Sequence, residues 1–204
     1  METVYQRQVV CRGGKFKMDT EAEVPKAEKG QALIRVHYST VNPYDRICYD
    51  NEKQTEGFVL GCDGCGIVES VGEGVSENLI GKKVAFLGGA WTRYTVKEAD
   101  YLVQFPDTFD LKLAANTYVN PFTVTAMLDF SQKHGAKAVI LTAASSQLSK
   151  MMIKLCKGHG IETVNIVHRD QQVTDLKDKY GCEWVFNQNS PSFFQDLEAC
   201  IAKT

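Results

Sequence analysis

The sequence contains no apolar run approaching the roughly 20 residues that a helix needs to cross a bilayer. It shows no signal peptide, no arginine-rich transit peptide, no internal repeat and no low-complexity segment. A net charge of −2 on 204 residues gives no strong field to attract nucleic acid or an anionic membrane. We therefore expect no membrane insertion, no nucleic-acid partner and a cytoplasmic location. The mitochondrial matrix is the alternative if a presequence was removed before this numbering begins.

Metal-binding patterns are also scarce. Cys62 and Cys65 have CxxC spacing, but neither a second such pair nor a Cys-His pair follows, so four zinc ligands are not in sight. The apolar and glycine residues on both sides favour a buried strand and turn over a zinc site. The seven cysteines are odd in number and scattered, which is typical of a reducing compartment. We expect no metal.

The residues that are present divide into two regions of different periodicity. Up to about residue 110, short strand-like segments alternate with glycine corners, as at 34–38, 81–89 and 91–96. This pattern predicts a partly closed β-barrel. From Asp110 the spacing of apolar residues becomes helical, with a short helix over 111–118 and a second that starts at Pro121 and stops at Gly135.

Strands and helices then alternate to the last residue. The pattern predicts strands at 138–143, 163–168 and 184–187, with helices at about 146–157, 170–180 and 192–203. Strands separated by helices indicate a parallel sheet with right-handed crossovers. The fold class is therefore α/β, with one domain over 1–115 and a second over 116–204.

The turn between the first strand and the first helix of this second domain is a candidate nucleotide site. Its helix could hold a pyrophosphate on free backbone amides, and Arg169, just past the next strand, is placed to meet a ribose 2′-phosphate. The Gly-x-Gly-x-x-Gly fingerprint is missing, since Ala144, Ser146 and Ser149 are small but carry a Cβ. An ordinary helix capped by Ser145 or Ser146 remains the alternative.

Six segments, in this order, carry a family resemblance. Residues 41–45 resemble Val-Asn-Pro-x-Asp, and residues 60–68 with 71–72 resemble Gly-x-Asp/Glu-x-x-Gly-x-Val…Val-Gly. Residues 81–84, 89–94, 119–128 and 142–148 resemble four further motifs that follow. Over nearly its whole length the chain resembles a medium-chain dehydrogenase/reductase. It is most similar to the zinc-free branch of quinone oxidoreductases and 2-enoyl thioester reductases.

The resemblance implies a GroES-like β-barrel domain followed by a Rossmann domain, here only its N-terminal half. It also implies an NADPH-dependent oxidoreductase that passes a hydride to a small-molecule quinone, enal or enoyl thioester without zinc. Asn42 and Cys62 stand where zinc-dependent relatives carry a Cys and a His ligand. The alternative function is a non-catalytic accessory or scaffold subunit of a larger complex, which the missing turn glycines favour.

The resemblance also nominates site residues. Asn42 is a candidate for a polar substrate or nicotinamide contact, with a capped turn before Pro43 as the alternative, and Asp45 is expected to brace the loop or a helix start. Tyr44 and Lys53 are candidate proton donors, and Lys53 stands where the thioester reductases place a tyrosine. The predicted cofactor-binding residues are Asn120, Thr123, Ser145, Ser146, Gln147, Leu148 and Arg169.

The Rossmann sheet of the family has six parallel strands, of which this chain supplies three. The strand at 138–143 would then lack a neighbour on one side and expose its backbone groups. We expect a homo-oligomer or a partner chain to cover this open edge.

Overall fold

The computed structural model describes residues 4–51 and 55–203. The chain divides into two compact units, Met1–Val119 and Asn120–Thr204. None of the helices in the described ranges is both long and apolar enough to cross a membrane.

The first unit is built on antiparallel strands. A hairpin of β1 (Tyr5–Arg12) and β2 (Lys15–Glu23) turns at two glycines, Gly13 and Gly14, with φ of 60° and 72°. A five-stranded sheet follows, in the order β6-β3-β4-β5-β7. Its strands are β3 (Gln31–Ser39), β4 (Asp63–Val71), β5 (Lys83–Leu87), β6 (Tyr94–Glu98) and β7 (Val103–Phe105). The hairpin joins the rest of this unit through isolated bridges at Gln8 and Val10.

Two short helices belong to this unit, α1 (Pro43–Asp50) and α2 (Leu111–Ala114). Apolar side chains from one face of the sheet form the core. Its buried members are Ala32, Ile34, Val68, Leu79, Val84, Phe86, Ala90 and Leu102.

Motif glycines allow β4 to pack closely against its neighbours. A Cβ on Gly66 would overlap the carbonyl of Arg35 on β3, and one on Gly72 would overlap the carbonyl of Glu28. A Cβ on Gly64 would lie 2.7 Å from the Ala90 Cβ. These glycines are therefore required by close approach of the backbone, which explains why the signature over residues 60–72 contains them.

In the second unit, helices and strands alternate along the chain. It consists of α3 (Val119–Lys133), β8 (Ala138–Leu141), α4 (Gln147–Gly158), β9 (Glu162–Val167), α5 (Asp170–Tyr180), β10 (Trp184–Asn187) and α6 (Phe193–Ile201). The strands pair in parallel in the order β10-β9-β8. The predicted parallel sheet is confirmed, and among the described residues β8 has no strand on its second side.

Several boundaries differ from the sequence-based expectation. The strand expected at 138–143 ends at Leu141, because the chain turns at once into the bend before α4. The helix expected at 111–118 is a single turn ending at Ala114, and the helix expected from Pro121 begins at Val119. The strand expected at 91–96 runs over Tyr94–Glu98, since Thr92 makes only an isolated bridge with Gln8.

Candidate functional site

The Asn-Pro segment after β3 starts a helix and does more than form a turn. Asn42 is the N-cap of α1, and Pro43 occupies the first helical position, where the absent amide of proline costs nothing. The buried carboxylate of Asp45 accepts hydrogen bonds from the backbone N–H groups of Asn42 and Cys62, each at 2.7 Å. Asp45 therefore braces the helix start, as expected, and also fixes the loop before β4.

The side chain of Asn42 is held by its neighbours. The Asn42 Nδ2 donates to the Thr40 Oγ1 at 2.7 Å, and the same side-chain amide also hydrogen-bonds the carboxylate of Asp63. Asp63 is fully buried and accepts the Val119 amide at 3.1 Å. The pKa of Asp63 is raised to about 6, because burial and the nearby Asp45 carboxylate together outweigh the opposing hydrogen bonds from Val119 and Asn42. Asn42 thus supports a buried carboxylate that titrates near neutral pH.

An apolar cavity of about 490 Å³ opens next to α1. Most of its wall is hydrocarbon, and the volume lies within the range of small-molecule pockets. The lining residues are Tyr44, Asp45, Cys48, Phe58, Leu60, Gly61, Cys62, Leu87, Gly88 and Val119. The cavity can receive an apolar part of a small molecule and exclude water from it.

Two protic side chains in this wall, Tyr44 and Cys62, have raised pKa values. A hydrogen bond with Cys48 raises the pKa of Tyr44, and burial, aided by Asp63 and Asp45, raises the pKa of Cys62 to about 11. At neutral pH both are neutral hydrogen-bonding groups. Lys53, the other predicted proton donor, lies outside the described residues.

The bend between β8 and α4 has a defined backbone. Ala143 has φ of 48°, the one positive φ outside glycine among the described residues. The amide of Ala144 donates to the Ile166 carbonyl at 3.0 Å, which ties the bend to β9. Because a left-handed conformation disfavours residues with a Cβ, this alanine occupies a position that suits glycine.

The serines of the bend cap the helix but leave two amides open. The Ser146 hydroxyl accepts the Ser149 amide at 3.1 Å and donates to the Ser149 hydroxyl at 3.0 Å. The amides of Gln147 and Leu148, at the first two helical positions, have no acceptor in the described part of the chain. Ser145 is half-buried beside them. The predicted cap is therefore present, and because it uses only one of the free amides it leaves the Gln147 and Leu148 amides accessible to an acceptor.

Arg169 follows β9 and is the N-cap of α5. Its guanidinium is exposed and has no acidic partner within residues 4–51 and 55–203. The adjacent Asp170 carboxylate instead accepts from the Asn187 amide at 2.7 Å. The cation past the end of β9 is thus available to an anionic ligand.

The other two predicted cofactor residues lie on α3. Thr123 lines an apolar groove against β8 together with Phe130, Ile140 and Met152, and Asn120 is the second residue of the helix. Their roles stay predictions.

The thiols have no metal-like arrangement. All seven cysteines are free, and no group of three or more His, Cys, Asp or Glu side chains is placed to hold a metal ion in the described ranges. Cys65 is buried within β4, and Cys62 is partly buried in the loop just before this strand.

Together these features define a class. A glycine-cornered antiparallel unit is followed by a parallel α/β unit in which the helix after the first strand, α4, opens on free amides, as in two-domain nucleotide-dependent proteins. Residues 28–107 match the alcohol dehydrogenase GroES-like domain.

Similar proteins agree with this class. The trans-enoyl reductase RAP2 of Pyricularia oryzae is 25% identical over 94% of this chain and 59% of its own length, and the quinone oxidoreductase of Sus scrofa is 24% identical over 92% and 59%. A putative NADPH:quinone reductase from Mesorhizobium loti superposes with a TM-score of 0.86 and 29% identity, over 100% of this chain and 65% of that one. These similarities confirm the resemblance to the medium-chain dehydrogenase/reductase superfamily that the motifs indicated. It spans about three fifths of the length of the curated relatives it matches.

Sequence reasoning did not identify Asp63 or Cys48 as site residues. Asp63 was visible as the acidic position of the Gly-x-Asp-x-x-Gly motif, but its burial and its contact with Val119 depend on distant parts of the chain. Cys48 carried no recognisable signal, because a cysteine inside a short helix is more often core.

Proposed function

We propose that the protein is an NADPH-dependent oxidoreductase that reduces quinones, enals or enoyl thioesters without zinc. The proposal rests on two features that occur together. The start of α4 has two open backbone amides, and Arg169, past β9, has no acidic partner among the described residues. The names of the similar proteins, which are quinone and enoyl reductases, support the reaction type.

The residues present fit the cofactor. The Gln147 and Leu148 amides would hold the pyrophosphate, because a helix N-terminus presents N–H groups and a positive dipole end to an anion. Arg169 would hold the ribose 2′-phosphate through charge-assisted hydrogen bonds. When bound, NADPH supplies a hydride to an electron-poor carbon.

The first unit would receive the substrate. The apolar cavity would take the hydrocarbon part and keep water away, which strengthens polar contacts at its rim. Tyr44, whose raised pKa keeps its hydroxyl protonated, would donate a hydrogen bond to a substrate oxygen. Asn42 would position neighbouring groups through Thr40 and Asp63, and Lys53 stays a candidate proton donor. Asn42 and Cys62, in place of the zinc ligands of relatives, support the zinc-free mechanism.

NADPH is expected to bind about 10- to 100-fold more tightly than NADH, and Arg169→Ala should remove most of this difference, because a charge-assisted bond contributes about 1.5–3 kcal/mol. Isothermal titration calorimetry with both nucleotides measures it. Lys179→Ala, which removes an exposed charge already paired with Asp175, should leave the ratio unchanged. Equal affinities in the unmutated protein would defeat the assignment of Arg169. A protein that saturating NADPH does not stabilise against heat would favour the accessory-subunit alternative.

We also propose that a homo-oligomer or a partner chain covers β8. Ile140 on this strand is 52% exposed, and Phe130 on α3 beside it is 63% exposed, so the edge combines unpaired backbone groups with an apolar surface. Light scattering of the purified chain is expected to show species larger than a monomer. A single monodisperse monomer with cooperative melting would contradict this. The seven free thiols support a reducing location, in the cytoplasm or the mitochondrial matrix.

A further inference from the structure

A lysine on the inner face of β6 has no use in the chemistry described above. Lys97 pairs with Ala32 on β3, and Thr95 pairs with Ile34. Since directly opposed residues of two strands point to the same face, and Ala32 and Ile34 are fully buried, Lys97 and Thr95 face the core side of the sheet.

The ammonium of Lys97 has no hydrogen-bond or ion-pair partner in the described part of the chain. It lies 5.6 Å from the centroid of the Phe86 ring, a cation–π contact that leaves its three N–H donors unused. The neighbouring carboxylate of Glu98 is on the opposite face, where it accepts from Gln31 at 2.9 Å. Burial lowers the pKa of Lys97, as expected for a cation without a counter-charge.

Two further donors converge on the same place. At Gly89, the position of an added Cβ would lie 3.4 Å from the Lys97 Nζ and 3.8 Å from the Thr95 Oγ1. The Thr95 hydroxyl and the Gly89 amide are likewise without a partner among the residues described. The space over the Gly89 Cα is therefore bordered by an ammonium and a hydroxyl, and the Gly89 residue itself carries a free N–H.

This space is connected to a small cavity. Gly89, Thr95 and Val59 border it, and a cavity of about 210 Å³ that includes Gly89 and Thr95 in its wall opens between β6 and the β1–β2 hairpin. Gln6 in the same wall is already bonded to Thr92 and to the Tyr94 amide. The carboxylate of Glu23 lines the exposed rim, which disfavours a large anion there.

We propose that Lys97, Thr95 and the Gly89 amide form a binding site for a small oxyanion, a carboxylate or a phosphate. A cation and a hydroxyl that border one space, with the Gly89 N–H as a further donor on the same residue, match the acceptor oxygens of such a group. An anion would also replace the missing counter-charge of Lys97. Gly89 suits the site because any side chain there would fill the space beside the ammonium.

The test measures how fast an amine-reactive N-hydroxysuccinimide ester modifies Lys97. The folded protein is labelled first and is then digested, and mass spectrometry of the peptides quantifies the modification of Lys97. Inorganic phosphate and acetate are titrated in separate arms, with sodium chloride holding the ionic strength constant. Either anion is expected to slow the modification of Lys97 several-fold and saturably, and the arm that protects at lower concentration identifies the anion class. The exposed Lys112 should show no protection.

Variants keep the outcome decisive. Thr95→Val should raise the half-protecting concentration several-fold, whereas Thr95→Ser, which keeps the hydroxyl, should not. Lys97→Met, which retains contact with Phe86, should abolish the thermal stabilisation that the anion gives the unmutated protein. Absence of protection in both arms, equal protection of Lys112, or unchanged protection in Thr95→Val would overturn the proposal. Lys97 would then be only a cation packed on an aromatic ring.

Discussion

Replacing Gly66 with alanine is expected to lower the free energy of unfolding of the first unit by at least about 3 kcal/mol. The added methyl group would overlap the Arg35 carbonyl, and the Ile34 Cγ2 would be 2.8 Å from it. The carbonyl belongs to the backbone of a central strand, so relief requires β3 and β4 to separate. Urea unfolding followed by circular dichroism measures the change.

Gly158→Ala is the matched control. Gly158 is the last residue of α4, and an added Cβ would meet no atom within 4 Å. Because alanine has a higher helix propensity than glycine, this variant should be neutral or slightly more stable. If the two variants differed by less than their experimental error, close strand approach would not be what requires the motif glycine.

As the pH rises from 4 to 7, the free energy of unfolding of the Asp63→Asn variant is expected to increase relative to that of the unmutated protein, by up to about 3 kcal/mol. The pKa of Asp63 is raised in the folded state, from 3.8 to about 6. Between these values the folded state binds the proton more strongly than the unfolded state does. The contribution of Asp63 to stability is therefore present at low pH and is lost as the pH rises through the folded pKa.

Chemical denaturation at a series of pH values measures this difference. Asparagine cannot ionise and its carbonyl can still accept the Val119 amide, so the variant removes the titration while keeping the contact. Gly158→Ala, with unchanged charge, should give a stability profile parallel to that of the unmutated protein. A constant difference between Asp63→Asn and the unmutated protein over the whole range would show that Asp63 does not titrate there.

The parallel unit was predictable from sequence because its signals are local. Buried apolar runs mark the strands, and glycines end the helices, as at Gly181 with φ of 65° after α5. The strands β9 and β10 agree with expectation to within a residue. Among the three strands of this unit, only β8 was predicted too long, because Thr142 and Ala143 extend its strand-like pattern although the chain has already turned.

The first unit was harder to predict in detail. Helix α1 was only one of two alternatives, because Asn42 and Pro43 also suit a turn. The contact that holds the helix start joins Asp45 to the distant backbone amide of Cys62. The β1–β2 hairpin carries alternating polar residues on an exposed surface, which give a weak strand signal. Gly13 and Gly14 form the exposed turn of this hairpin.

The candidate sites likewise differ in how well they could be predicted from the sequence. Arg169 and the serine bend could be named from sequence, since a strand, a turn and a helix determine where they lie. The groups at Asp63 and Lys97 could not, because their character comes from burial. The sequence alone does not indicate whether a carboxylate or an ammonium will be exposed to water or buried, for example against an aromatic ring.

Cys62 offers a built-in reporter. Six of the seven cysteines are buried, and Cys62, in the wall of the apolar cavity, is the partly exposed one. A fluorescent or isotopic tag placed on this single sulfur would sense occupancy of the cavity without any engineered mutation. Since its raised pKa slows alkylation near neutral pH, a mercury-based or alkaline labelling step would be the practical route.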